Sequence, residues 1–396
     1  MFISEKVKNI TPSPTLAIDA KAKKMKKEGI DIISFGAGEP DFDTPENIKA
    51  EGINAIQRGQ TKYTPVSGLI ELKEAICGKF KKDNGLTYST SNIVVSCGAK
   101  HSLYNVFQCI LNPGDEVIIP VPYWVSYTEM VKLAQGKPVF INTQEKSNFI
   151  PSKNDLLSKI TSRTKAIIIN SPNNPSGMIY TREDMEVIGK IAIEKNILII
   201  SDEIYEKLIY DGNKHVSIAE LGEEIKRNTV IVNGVSKTYA MTGWRIGYIA
   251  CEEKLAKACD NLQSHSTSNP CSISQYASIE ALQGSQDKVN DMLSNFDIRR
   301  KLMVKGLNNL PEIKCKMPNG AFYAFPDISG LFGKTYNSKK LSSSTDVADF
   351  FLEAARVAVV QGSAFGMDTH LRLSYAASLE NIEKGLIRMM EVLKKE

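Results

Sequence analysis

The stretch ILIISDEIYE, residues 197–206, places four apolar side chains and one serine directly before the carboxylate of Asp202. A short aliphatic run without polar alternation fits a strand covered on both faces, as in a parallel sheet. The same pattern recurs in NIVVSCGAK (92–100), DEVIIPVPYW (115–124), AIIINSPNNPSG (166–177) and VIVNGVSK (230–237). Each apolar run breaks at once into polar, glycine-rich or proline-rich residues. Helix-like stretches such as Leu103 to Leu111 and Glu183 to Glu194 lie between several of them. This alternation predicts an α/β fold built on a parallel sheet. In such sheets ligands bind beyond the carboxyl ends of the strands, so the residues leaving these five runs are the site candidates.

Composition narrows the classes of function. The chain has 396 residues, 42% hydrophobic and 24% charged, with a net charge of +4 from 49 basic and 45 acidic side chains. That length suits two domains or one large α/β unit. The charge is too mild to argue for a nucleic-acid or membrane partner. The basic run Lys21 to Lys27, interleaved with Ala and Met, reads as the wet face of a helix. Seven scattered cysteines without CxxC spacing suit free thiols in a reducing compartment, and four separated histidines do not suggest a metal centre. The opening MFISEKVKNITPSPT lacks the apolar core of a signal peptide, and no apolar run is long enough to span a bilayer. The expectation is a soluble cytoplasmic protein without a metal.

The two ends differ from the middle. Residues 1–45 hold a helix-like segment and the loop GAGEPDFDTP, and we expect them to form an N-terminal arm and part of a small α+β domain. Residues 46–286 form the expected large domain. Residues 287–396 begin with a long amphipathic stretch, continue through GAFYAFPD, AARVAVVQGSAFG and HLRLSYA, and complete the small domain.

Every strand end offers chemistry beside a plainer reading. Gly98 and Ala99 open a helix whose free N–H groups and dipole suit a phosphate, or they reflect close packing alone. Lys100 either meets solvent or faces an anionic substrate. Trp124, in VPYWVSY, is core filling or a flat platform for a planar ring. NSPNNPSG is a turn, or a rigid loop that holds an amide as a donor. Asp202 should be buried and then needs a cationic or strongly donating partner. A protonated ring nitrogen would meet that need, as would a structural ion pair or a helix cap. Tyr205 presents a phenol close by.

In GVSKTYAMTGWRIG (234–247) the only charged side chains are Lys237 and Arg245. An amine near such a crevice, with its pKa lowered by desolvation and nearby cations, can form a Schiff base. Arg245 supplies the fixed positive charge that a phosphate dianion requires. The residues Thr238 to Thr242 either pack or touch ligand. A phosphate cradle, a stacking ring, an amide donor, a carboxylate–phenol pair and an amine are together the parts needed to hold pyridoxal 5'-phosphate.

From about Lys6 to the C-terminus the chain resembles the fold-type I pyridoxal-phosphate enzymes of the class I aminotransferases, specifically the bacterial-type aspartate aminotransferases. SPNNPSG, SDEIYE, NGVSKTYAMTGWRIGY and RLSYA, in this order and spacing, carry the resemblance. It implies a large domain with a mostly parallel seven-stranded sheet between helices, plus the smaller α+β domain. It makes Lys237 the Schiff-base lysine and proton carrier. Asp202 would pair with the pyridinium nitrogen and keep the ring an electron sink. Tyr205 and Asn174 would bind the phenolic oxygen, and Trp124 would stack on the ring. Arg245, with the turn Gly98–Ala99–Lys100, would hold the phosphate. Many relatives have Ser or Thr three residues before the lysine; here that position is Gly234, and Ser236 is the remaining candidate hydroxyl. Tyr63, in KYTPVSG, would reach the phosphate of a neighbouring subunit, which implies a homodimer with shared active sites.

The resemblance also assigns the substrate groups. Arg372 would clamp the α-carboxylate bidentately, and Gly38 would bring a backbone N–H to it where a side chain would obstruct. Trp124 and Asn174 would border the same space. Lys100 stands where the resembled enzymes contact the distal carboxylate of aspartate. This favours reversible exchange of L-aspartate and 2-oxoglutarate with oxaloacetate and L-glutamate. Ser13 and Thr15 lie where the N-terminal segment could close over the substrate, and Thr11, before Pro12, weighs against prephenate. An aromatic or alanine aminotransferase or a C–S lyase would share the cofactor residues.

Overall fold

A computed structural model describes residues 2–12, 14–336 and 339–394; Ser13 lies outside them. Its central sheet has seven strands: β1 (Ile93–Ser96), β2 (Glu116–Val121), β3 (Lys137–Asn142), β4 (Thr164–Asn170), β5 (Leu198–Asp202), β6 (Thr229–Gly234) and β7 (Gly247–Ala250). The spatial order is β1-β7-β6-β5-β4-β2-β3. Paired strands are parallel except that β7 is antiparallel to both β6 and β1. The helices that matter below are α1 (Pro14–Lys27), α2 (Ala99–Ile110), α3 (Arg182–Lys195), α4 (Asp287–Asn308) and α5 (Leu379–Leu393).

Successive strand residues point to opposite faces, and both faces are covered. Ile118, Ile167, Ile169 and Ile199 pack with Ile188 and Ile191 of α3. Ile119, Ile168, Ile200 and Val230 pack on the other side with Leu103 and Phe107 of α2. That double burial is the reason the runs are aliphatic without alternation. The helix α3 starts where Thr181 and Asp184 exchange side-chain and backbone hydrogen bonds, at 2.9 and 3.2 Å, and ends at Asn196, which turns left-handed with φ of 52°.

Two of the strands escaped the apolar-run pattern. β3 lies at the sheet edge, with Lys137, Phe140 and Asn142 exposed, so its sequence KPVFIN mixes polar and apolar residues. β7 spans four residues and opens on a glycine.

Toward the C-terminus, Val360–Gln361, Leu371–Ser374 and Tyr323–Ala324 make a three-stranded antiparallel sheet. Ile33–Ser34 pairs in parallel with Val357–Ala358, and the Ser374 N–H donates to Phe35 O at 2.7 Å. The loop GAGEPDF (36–42) is thereby held beside the strand that bears Arg372. No helix among the described residues is long and apolar enough to cross a membrane.

The approach of β7 to β6 and α2 is set by glycines. Gly234 and Gly247 face each other in the ladder. A Cβ on Gly234 would lie 2.8 Å from Ile246 O, so a serine or threonine has no room here. A Cβ on Gly247 would lie 2.1 Å from the Ala99 nitrogen, at the start of α2. Gly247→Ala should therefore push α2 off the sheet and cost about 1–3 kcal/mol. Urea denaturation of the variant reads this directly, and a midpoint equal to that of the parent would refute the packing argument.

Candidate active site

Asp202 ends β5 and is 4% exposed. Its Oδ2 accepts from the Tyr127 phenol at 2.6 Å, and its Oδ1 accepts from the Ile204 N–H at 3.2 Å. No ion pair holds it among the described residues. Because both donors are neutral, burial dominates and pushes its pKa up to about 6. Tyr205, just beyond it, is buried with its hydroxyl 2.9 Å from that of Tyr323. Burial raises the Tyr205 pKa well above the ordinary phenol value, so the hydroxyl keeps its proton.

Lys237 follows β6, and its Nζ donates to Gly38 O at 2.6 Å. The side chain lies in a cleft that solvent still reaches but protein surrounds on most sides. Burial brings its pKa down to about 8, with Glu39 opposing the shift and Arg245 and Arg372 reinforcing it. Lys237 has one charged neighbour along its own segment, Arg245; in the fold, Glu39, Asp202 and Arg372 from three other segments act on it as well.

Arg372 is 2% exposed. Its Nη1 donates to Asn174 Oδ1 at 3.1 Å and its Nη2 to Gly36 O at 2.8 Å. The guanidinium carbon sits 4.6 Å from the centre of the Tyr323 ring and 5.0 Å from that of Phe365. Among the described residues the buried Nε–H has no acceptor. A desolvated guanidinium with unused donors suits a carboxylate ligand. Its bond to Asn174 Oδ1 also fixes that amide, leaving the NH2 group to donate elsewhere.

At the end of β1, Gly98 adopts a φ of 93° and precedes α2. A Cβ there would lie 2.4 Å from Arg245 Nη2, so only glycine lets that guanidinium lie against the turn. Arg245 donates through Nη1 to Thr242 O at 2.8 Å and through Nη2 to Cys97 O at 3.3 Å. Its charge and the first N–H groups of α2, at Ala99 and Lys100, thus share one corner. The Lys100 ammonium lies 4.9 Å from the centre of the Trp124 ring, and Trp124 meets Tyr127 edge-on at 5.3 Å. Burial, reinforced by Arg245, lowers the Lys100 pKa.

The structure does not draw every candidate into this cluster. Tyr63 is 91% exposed. Ser236 is buried beside Lys237, where its carbonyl accepts from the Met241 N–H at 3.1 Å, and no contact ties its hydroxyl to the Arg245 corner among the described residues. At Gly38 a Cβ would meet only the Tyr323 hydroxyl, at 3.5 Å, which is ordinary contact. The glycine keeps the cleft open, and the protein wall itself would tolerate a side chain.

Sequence reasoning passed over Tyr127, although it stands in the VPYWVSY segment that supplied Trp124, and over Tyr323 in GAFYAFPD. Nothing in a local pattern says that these phenols reach Asp202 and Tyr205. The segment Thr238 to Thr242 proves to be a tie between loops. Thr242 Oγ1 donates to Glu39 at 2.7 Å, and Ala240 O accepts from Thr44 Oγ1 at 2.7 Å. The other acids of SDEIYE are structural: Glu206 pairs with Lys79 at 2.5 Å, and Glu203 accepts from Ser201 and Ser217, each at 2.8 Å.

A buried carboxylate with neutral donors, an amine titrating near neutrality, a phenol, an oriented amide and an anion corner fit pyridoxal phosphate. In the cofactor-free protein these groups carry a pH signature. The folded pKa of Lys237, about 8, lies below its ordinary value of 10.5. The unfolded chain then binds more protons between those values, so the stability that depends on this group rises with pH across that window. Lys237→Met should raise the melting temperature of the apoprotein at pH 7, and the gain should shrink toward pH 10. A difference that stays flat between pH 6 and 10 would contradict the assignment.

The chain matches the model of the family described as aminotransferase class I and II over residues 30–388. It is 52% identical over 393 residues to the aspartate aminotransferase of Bacillus sp. (strain YM-2), covering 99% of each chain. It is 48% identical to the probable aspartate/prephenate aminotransferase of Rickettsia bellii (strain RML369-C), covering 98% of each. Among solved structures, the aspartate aminotransferase from Rhizobium meliloti superposes with a TM-score of 0.97 at 44% identity, over 100% of this chain and 99% of that one. The enzyme from Thermus thermophilus with maleate gives 0.94 at 41% identity, over 99% and 100%. The chain belongs to the class I and II aminotransferases, a family of pyridoxal-phosphate enzymes.

Proposed function

We propose that this protein is an aspartate aminotransferase that moves the amino group reversibly from L-aspartate to 2-oxoglutarate, working as a cytoplasmic homodimer with shared active sites. One observation carries the reading. The Lys237 amine and the Arg372 guanidinium hang from the carbonyls of Gly38 and Gly36, two positions of the same loop. A base and a carboxylate receptor at that separation suit an α-amino acid, whose reacting Cα–H adjoins its carboxylate.

Bound pyridoxal phosphate supplies an electron-accepting ring that acidifies the substrate Cα–H and carries the amino group between half-reactions. The chain does the rest. Arg372, through its unused N–H donors, grips the α-carboxylate and fixes which Cα bond faces Lys237. Lys237 Nζ, titrating near pH 8, is free enough of its proton that it would hold the cofactor's aldehyde carbon and would serve as the base for the proton on Cα. Asp202 would hold a proton on the pyridine nitrogen. Tyr205 and the Asn174 NH2 group would donate to the phenolic oxygen, and Trp124 would cover the ring. Arg245 and the start of α2 would anchor the phosphate, with Tyr63 added from a second subunit. Ser236 is a further candidate phosphate contact.

The Lys100 ammonium, beside Trp124, is placed to take the second carboxylate of a dicarboxylic substrate. The relatives named aspartate aminotransferases support that preference. Lys100→Ala should raise KM for aspartate roughly 10- to 100-fold, the worth of one charge-assisted contact, and leave KM for alanine nearly unchanged. A single-turnover panel that includes aspartate, alanine, phenylalanine and prephenate ranks the substrates. Lys237→Ala should end turnover and remove the visible absorption band of the holoenzyme; retention of both would sink the reading.

A further inference from the structure

Tyr323 touches both halves of the site, yet nothing so far gives it a task. It is 1% exposed and lies on the strand paired with the one that bears Arg372, opposite Ser374. Its ring supports the Arg372 guanidinium at 4.6 Å, and its hydroxyl is 2.9 Å from the Tyr205 hydroxyl. Either oxygen of that pair can be the donor. The two arrangements differ in consequence. If Tyr205 donates to Tyr323, its only proton is spent and it can offer a cofactor oxygen nothing. If Tyr323 donates to Tyr205, the Tyr205 proton is free to point onward.

We propose that Tyr323 is a positioning residue for transamination: its hydroxyl donates to Tyr205 and so commits Tyr205 as the donor to the cofactor's phenolic oxygen, while its ring braces Arg372. This rests on the function proposed above and adds a residue to it. The physical basis is a two-step chain of hydrogen bonds, in which accepting one bond makes a hydroxyl a stronger donor in the next. Burial keeps both phenols protonated, so the chain has a donor at each step. The charged groups acting on Tyr205 are Arg372 and Asp202, and the one acting on Tyr323 is Arg372. None of them is altered by removing the Tyr323 hydroxyl. The ring contact adds a link to substrate, since the same side chain that polarises Tyr205 supports the guanidinium that receives the α-carboxylate.

The test is Tyr323→Phe in the holoenzyme, with the bound cofactor titrated by its visible absorption. Donation to the phenolic oxygen makes the neighbouring Lys237 linkage release its proton more easily, so weaker donation from Tyr205 should raise the apparent pKa of that titration. An upward shift of roughly half to one unit is expected from the loss of one neutral hydrogen bond in the chain. Because the phenylalanine ring still braces Arg372, kcat should fall while KM for aspartate stays within about twofold. Tyr323→Leu removes the brace as well and should raise KM. In a Tyr205→Phe background, Tyr323→Phe should have no further effect on the titration. A titration of Tyr323→Phe that coincides with the parent's, or an equal shift in the Tyr205→Phe background, would overturn the proposal. Failure of the parent holoenzyme to turn over aspartate would instead refute the substrate assignment, while the titration would still report on Tyr323.

Discussion

Three ionisable groups, Asp202, Lys237 and Arg372, are withdrawn from water in one cleft, and no direct ion pair joins any two of them among the described residues. Desolvation pulls each toward its neutral form: Asp202 up to about 6, Lys237 down to about 8, and Arg372 below its ordinary value. A protein built only for stability would pair such charges or replace them with apolar residues. Here the neighbours are phenols, amides and backbone carbonyls, which orient the charges without cancelling them. The unmet demand is for a cation at Asp202, an electrophilic carbon at Lys237 and an anion at Arg372. A protonated ring, an aldehyde and a carboxylate meet those demands in turn.

The sheet makes this arrangement possible. Because β4, β5 and β6 run parallel and are adjacent, their carboxyl ends deliver Asn174, Asp202 and Lys237 to one edge. Both faces of the strands are filled by aliphatic side chains, which fixes where the strand ends lie. β7 then returns antiparallel and brings Gly247 against the start of α2, which sets the Arg245 corner beside Gly98. The opposite wall comes from outside the sheet. The GAGEPDF loop is pinned by the bond from Ser374 to Phe35 and by the tie from Thr242 to Glu39.

What was legible in the sequence follows from this construction. Doubly buried strands leave a signal that needs no partner to interpret, and five of the sheet's seven strands could be read from it. The residues at their ends could be named as site candidates as well, because a buried charge after an aliphatic run needs a partner. The edge strand β3 and the return strand β7 were not legible, since β3 is half exposed and β7 carries glycine for close approach. The site residues that were missed, Tyr127 and Tyr323, are aromatic residues in aromatic-rich segments, where burial alone would account for them. Their contacts, one hydroxyl on Asp202 and the other on Tyr205, form only in the tertiary structure. Tyr63 shows the converse: its 91% exposure would pass for an unremarkable surface residue if a second subunit were not expected.

Asn174 shows how the two ligands of such a site become interdependent. Its backbone N–H is fixed by Asn170 at 2.8 Å, and its side-chain oxygen accepts from Arg372 at 3.1 Å. An amide so held has one orientation, with its NH2 group left to donate to another partner. A carboxylate drawn to the free donors of Arg372 withdraws charge from the guanidinium and weakens its hold on Asn174 Oδ1. The amide then becomes a poorer donor at its other end, because the two ends of an amide are conjugated. Under the function proposed above, substrate binding would be felt at the cofactor's phenolic oxygen through this one planar group. By reciprocity, the charge on that oxygen would influence how strongly Arg372 binds a carboxylate. The coupling is electrostatic and short in range, and it depends on both partners of Asn174 being shielded from water.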